Sequence, residues 1–293
     1  MVRSEGDKPS GCIDRQHKDK STAACGISFL LPPKVTRLRP NAPGRSLVAR
    51  CGEGGFVSEL FSDASHFRRL VAGSCLIIAP VVLLVGALIH PQGKEAAAAH
   101  LAVVAENPGR YYWAHAILLV GLALFLPVVL ALMHLLRERG TTFGHVGGGL
   151  AMIGLFGATA VVAVDGIAVS QMGQPQVNIE EMAALLDRIK ESPGLRGIAV
   201  VAGVGLMVGV VVLAYGLWRT RAVQPWMAGG VAAGAVTFFV GVATDNRIIF
   251  AMAFAIYLIA LGPLGWRVLH ESDDEWSHGD VVRPANEGAP LGT

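Results

Sequence analysis

HVGGGLAMIGLFGATAVVAVDGIAVSQM, residues 145–172, is apolar for long enough to cross a bilayer, yet it carries a carboxylate, Asp165, near its far end. A helix rising 1.5 Å per residue needs about 20 apolar residues to cross roughly 30 Å of hydrocarbon. The stretch therefore predicts a membrane span over 146–170. From Gly147 to Asp165 the rise is about 27 Å, which puts Asp165 at the edge of the apolar layer, where a charge costs less than at the centre. Ahead of it Gly147, Ala151, Gly154, Ala158 and Val161 recur at intervals of four and three. A seam of small residues at that spacing lets helix backbones approach closely. It predicts that this face, Asp165 included, turns toward other helices; the competing reading is a carboxylate that simply reaches water.

The rest of the chain repeats the pattern. Of 293 residues, 53% are hydrophobic and only 16% charged, and the mean hydropathy is +0.51, whereas soluble domains are about a quarter charged. Further apolar runs at 69–90, 113–136, 197–218, 226–244 and 248–269 bring the predicted spans to six. The expected fold is all-α, a polytopic membrane helical bundle over 67–270, with a poorly ordered tail over 1–66 and a second tail over 271–293. Eighteen of the 24 Lys and Arg fall on the side of the two termini and six on the other, although twelve of those eighteen lie within residues 1–69. The positive-inside bias then places both termini in the cytoplasm. The first tail scatters charge, Pro and Gly with no period, and its one apolar patch, Ile27 to Leu31, is too short and too late for a signal peptide. Cys12, Cys25, Cys51 and Cys75 form no C-x-x-C pair, which argues against a disulfide framework or a metal finger.

Two segments on the side away from the termini resemble each other at a shift of 85 residues: KEAAAAHLAVVAENPGRYYW (94–113) and IEEMAALLDRIKESPGLRGI (179–198). Each predicts a short helix, then a Pro-Gly pair, then a new span. In the second, Ile179, Met182, Ala183, Leu186 and Ile189 share one face, as in a helix that lies on the membrane or caps the bundle. The spans entering these segments begin alike, RRLVAGSC, HVGGGLAM and PWMAGGVA. The layout suggests three parallel helical hairpins, 69–136, 146–218 and 226–269, the last with a minimal loop.

The repeat nominates a site. Seventeen residues after Gly73, Gly148 and Ala228 stand His90, Asp165 and Asp245, ionisable groups at equivalent depth on three helices. His115, Arg196 and Arg247 lie at the same level, and either arginine is an expected ion-pair partner for Asp165. Together the six predict a polar vestibule facing outward. His90, Asp165 and Asp245, with His115 as a further candidate, have acceptable ligand chemistry for zinc or a similar ion, but no local metal motif supports them. His90 with His115, or His134 with His145, could be axial haem ligands, although interfacial imidazoles need no ligand. The sequence identifies no cofactor.

Other motifs dissolve on inspection. HVGGGLAMIG lacks the Lys-Ser/Thr ending of a phosphate loop, and its glycines, like Gly205-x-x-x-Gly209 and Gly230-x-x-x-Gly234, suit helix packing. Pro80 and Pro127 fall near mid-span and predict kinks. H-E-x-x-H and G-x-S-x-G are absent, so nothing marks a hydrolase. The stretch ENPGRYYWAHAILLVGLALFLPVVLALMHLLRERG (106–140) resembles uncharacterised six-span integral membrane proteins of actinobacterial type. That resemblance spans roughly 68–270 and implies a plasma-membrane location with no assigned activity. The leading expectation is a non-enzymatic protein that binds or passes a small solute or ion. Alternatives are an accessory subunit that packs through its small-residue seams on a partner or a second copy, and a metal- or haem-binding membrane protein. The lipid bilayer is the expected medium, and nucleic acid is not an expected partner.

Overall fold

Three prolines open spanning helices in this chain, each at the first position, where a missing N–H costs nothing. The computed structural model describes residues 55–94 and 96–278. Over these the chain forms α1 (Gly55–Ile89), α2 (Ala97–Glu106), α3 (Pro108–Leu135), α4 (Thr141–Met172), α5 (Ile179–Glu191), α6 (Pro193–Thr220), α7 (Pro225–Ala243), α8 (Arg247–His270) and α9 (Asp273–His278), with no strand among them. Six helices, α1, α3, α4, α6, α7 and α8, are long and apolar enough to cross a membrane. The expected tail over 1–66 lies outside the described residues as far as residue 54, and the chain is helical from Gly55. The second tail is helical over Asp273–His278 and lies outside them from residue 279.

Span boundaries follow capping chemistry. The span expected at 113 begins at Pro108, because Asn107 accepts from the backbone N–H of Arg110 at 2.9 Å and so fixes the first turn. Ser192 does the same for Leu195 ahead of Pro193. Asn246 caps α8, accepting from Ile248 and Ile249. The Pro-Gly pairs therefore start helices as well as ending turns. Helices α1, α3 and α8 run unbroken through Pro80, Pro127 and Pro263.

Each spanning helix packs on its neighbours in sequence, and α8 returns to α1, so the six close into a ring. The tightest contact is α4 against α6, along the seam of small residues. A Cβ added to Gly154 would lie 2.1 Å from the Leu206 backbone nitrogen, and one on Gly209 would lie 2.2 Å from that of Ala151. Only glycine permits that approach. Large apolar side chains such as Phe67, Ile153, Phe156 and Ile259 point outward, while Leu76, Leu132, Leu213 and Leu261 fill the middle. Apolar side chains on the outside as well as the inside suit a hydrocarbon surround, in which association depends on close packing. Exposed Tyr112 and Trp113 mark one end; exposed Trp218, Trp226 and Trp266 mark the other, as in interfacial aromatic belts.

The end carrying the start of α1 and the close of α8 is called terminal below, and the opposite end distal. At the distal end α2 and α5 pack against each other. Leu101, Val104, Ala183 and Leu186 join Tyr111, Val169 and Met172 in a second apolar cluster. The two similar segments thus form one cap, placed over α3 and α4. The hairpin of α7 and α8 has no such helix, and Asp245 turns it in a left-handed conformation (φ 47°).

Candidate functional site

Under the cap, α4 departs from α-geometry. Asp165–Val169 form one turn of π-helix, a local insertion frequently found where a side chain is re-aimed for function. Next to it Gly166 touches α3 so closely that an added Cβ would stand 2.4 Å from the Cβ of His115. The two features bring the Asp165 carboxylate against α3. Its Oδ2 accepts from the Tyr111 hydroxyl at 2.6 Å and lies 3.0 Å from His115 Nε2. His90, at the end of α1, completes the group, its Nε2 standing 3.4 Å from His115 Nε2. Suitable ligand atoms of His90, His115 and Asp165 all lie within 4.8 Å of one another.

The histidines are held from behind. His90 Nδ1 is 2.7 Å from the Pro91 carbonyl and His115 Nδ1 is 2.9 Å from that of Tyr111. A carbonyl only accepts, so each Nδ1 carries a proton and each Nε2 faces inward as a lone pair when the ring is neutral. Tyr111 is itself positioned by His100. The Lys94 backbone N–H donates to His100 Nδ1 at 3.4 Å, which leaves His100 Nε2–H facing the Tyr111 oxygen at 3.3 Å. Burial, reinforced by nearby Lys190, holds the His100 ring below its usual range. His115 and Tyr111 are buried, and the Asp165 side chain is about a third exposed.

The group heads a cavity of about 260 Å³ lined from all six spanning helices. Its body is apolar, with Leu83, Leu118, Val162, Ala202, Phe238 and Phe254 in the walls, and its mouth adds Asp245, Asn246 and Arg247. Ala199 of α6 and Val242 of α7 line it and are exposed, as is most of α6 from Pro193 to Val201. No family model, curated protein or solved structure matches the chain.

Five of the six residues singled out from sequence line this one cavity: His90, His115, Asp165, Asp245 and Arg247. Arg196 does not; its Nε donates to the Lys190 carbonyl at 3.2 Å. Neither arginine pairs with Asp165. Arg247 donates to the His90 carbonyl at 3.4 Å and Arg110 to that of Ile89 at 2.8 Å, because the last carbonyls of α1 have no intrahelical partner and draw cationic donors. Asp245 stays exposed at the rim, where Gln92 donates to its backbone carbonyl at 2.6 Å. Two residues escaped the sequence reading. Tyr111 precedes the belt pair Tyr112-Trp113 and looks like part of it, but it lies four residues before His115 and so on the same helical face. His100 has no such signal.

Haem does not fit between the histidines. Their facing nitrogens stand 3.4 Å apart with rings tilted by 56°, leaving no space for a macrocycle. At the terminal end His134 stacks on Trp276 at 4.3 Å, while His145 bonds its own helix at Thr141.

Proposed function

We propose that this is a multi-pass protein of the plasma membrane, both termini cytoplasmic, that binds a small amphipathic solute in an outward-facing cavity. One observation carries the reading: a single cavity, drawn from six helices, joins a polar head of His90, His115 and Asp165 to an apolar body. A solute with an oxygen-bearing head and a short apolar tail matches both parts. The exposed cavity-lining residues Ala199 and Val242 supply a side entrance between α6 and α7, at a level where the solute would come from the bilayer. Binding is favoured over passage because, below the cavity, the middle is filled by Leu76, Leu132, Leu213 and Leu261, each buried. The accessory-subunit reading loses its main support, since the seam glycines are already occupied within the chain.

The test uses the full chain in lipid nanodiscs and a fluorescent single-chain amphiphile with a hydroxyl head, which can donate to the acceptors of the cavity head with or without an ion. Ala199→Trp fills the entrance and should weaken binding about tenfold or more, the effect expected of overfilling a packed space. Equal binding by wild type and Ala199→Trp would exclude the cavity as the binding place.

A further inference from the structure

The head of the cavity has an electrostatic problem that its own side chains do not solve. With both Nδ1 protons committed to carbonyls, His90 Nε2 and His115 Nε2 present lone pairs to each other at 3.4 Å, and His115 Nε2 presents one to the Asp165 carboxylate at 3.0 Å. Three acceptors converge, and no donor lies between them. The Tyr111 hydroxyl donates to the same carboxylate oxygen, Oδ2, and no bond joins it to either Nε2. A proton on His115 Nε2 would join two of the three atoms and leave the third facing it. A cation satisfies all three at once.

The separation of the two ring nitrogens suits an ion. Two imidazole nitrogens, each about 2.0–2.1 Å from a tetrahedral zinc, stand about 3.4 Å apart, which is the separation of His90 Nε2 and His115 Nε2. The surrounding contacts have the form that metal ligands require: each imidazole anchored through its other nitrogen, and the carboxylate hydrogen-bonded in turn. Those roles fall to Pro91, Tyr111 and, behind Tyr111, His100. We propose that His90 Nε2, His115 Nε2 and an oxygen of Asp165 bind one divalent transition-metal ion of borderline softness, Zn²⁺ foremost. Two nitrogens and one oxygen favour such ions over Ca²⁺ or Mg²⁺, which take oxygen ligands. Three protein ligands leave a position open toward the cavity. This deepens the solute-binding reading above, because the ion's free position would hold the oxygen-bearing head of the solute.

The test uses metal alone, so that its failure is separate from failure of the cavity reading. Full-length protein in detergent, stripped with a chelator, is titrated with Co²⁺ and followed by visible absorption. One equivalent should produce ligand-field bands that one equivalent of Zn²⁺ abolishes. His90→Ala and Asp165→Asn should each weaken Co²⁺ binding by about 100-fold or more, and Tyr111→Phe by about tenfold, since it removes only support for a ligand. His90 is half-buried at a helix end, so His90→Ala keeps the test open should the other variants fold poorly. No saturable binding of Co²⁺ or Zn²⁺ near neutral pH would mean that the cluster holds only a proton, and would overturn the proposal. Unchanged affinity in folded His90→Ala would do the same. If Co²⁺ binds as described while Ala199→Trp leaves amphiphile binding intact, the ion site stands and the cavity reading falls.

Discussion

Arg69, at the terminal end, donates from Nε to Asp273 at 2.7 Å and from one terminal nitrogen to the carbonyls of Leu269 at 2.8 Å and Val268 at 3.3 Å. At the distal end His90, His115 and Asp165 turn three acceptors toward one point. Both ends bury polar groups between helices, and they do so with opposite complementarity. The terminal cluster matches donors to acceptors. Arg137 and His134 likewise meet the Trp276 carbonyl, and Trp276, buried, stacks on His134. It has two exceptions: His134 Nε2 meets both the Trp276 carbonyl and an Arg137 nitrogen and can serve only one of them, and the buried Glu271 Oε2 has no partner among the described residues, its carboxyl pushed up by burial. The cluster ties α9 to α1 and α3 and stabilises the bundle. A group that holds structure together is satisfied by its neighbours; a group built to take a ligand is not.

Removing a polar group should therefore affect stability in opposite ways at the two ends. Arg69→Met removes donors from two helix-end carbonyls and from Asp273, and should cost about 2–3 kcal/mol, most of it from the buried carbonyl contacts, because the pair with half-exposed Asp273 is screened. Thermal unfolding of the full chain in detergent measures this, and an unshifted midpoint would mean that the terminal cluster is not a tie. Gly166→Val should push α3 from α4 at the distal end and cost about 1–3 kcal/mol by overpacking, while abolishing metal binding, which the same unfolding curves and a Co²⁺ titration would show together.

Asp165→Asn is the sharper variant. An Arg partner would make the loss of the charge costly, as expected from the sequence alone. With Tyr111 and His115 as the actual neighbours, both on Oδ2, an amide oxygen placed there keeps the acceptor for Tyr111 and takes the negative charge away from the histidine nitrogens that face it. The metal-free variant should thus lie within about 1 kcal/mol of wild type or above it, as is common when a functional site is disarmed. A large loss of midpoint in metal-free protein would show that the carboxylate is structural.

The spans were legible because hydropathy and length determine them; their starts moved back where Asn107 and Ser192 extend α3 and α6 to prolines, and where α1 and α4 begin in more polar sequence, at Gly55 and Thr141. The seam was legible because small residues at fours and threes have one main use, and the structure puts Gly154 and Gly209 on the α4–α6 contact. The equivalence of His90 and Asp165 followed from counting along a repeat. The charge partners did not follow, because Arg196 and Arg247 donate to carbonyls at helix ends, acceptors that side-chain charge in a sequence does not reveal. Nor could sequence foretell the π-turn at Asp165, which depends on how α3 and α4 meet at Gly166.

The smallest expected effect concerns the cap. His100 is held below its ordinary value of 6.5, chiefly by burial and then by Lys190, with Asp165 and Asp245 acting the other way. The fold binds this proton more weakly than the unfolded chain does, so the stability it protects is whole above the ordinary value and falls as pH drops from there toward the lowered one. Amide exchange in α2 and α5 should therefore quicken, relative to α4 and after correction for intrinsic rates, as pH falls below about 6.5. Parallel behaviour of the cap and α4 would mean that His100 does not couple the cap to the site.

The contrast between the two ends comes down to one measurement: the metal content, by elemental analysis, of full-length protein purified without chelator or added metal, beside His90→Ala and Arg69→Met prepared in the same way. The account predicts close to one transition-metal ion per chain in wild type and in the folded fraction of Arg69→Met, and about a tenth of that or less in His90→Ala, given the loss of a direct ligand. Equal content in wild type and His90→Ala, or none in either, would contradict it.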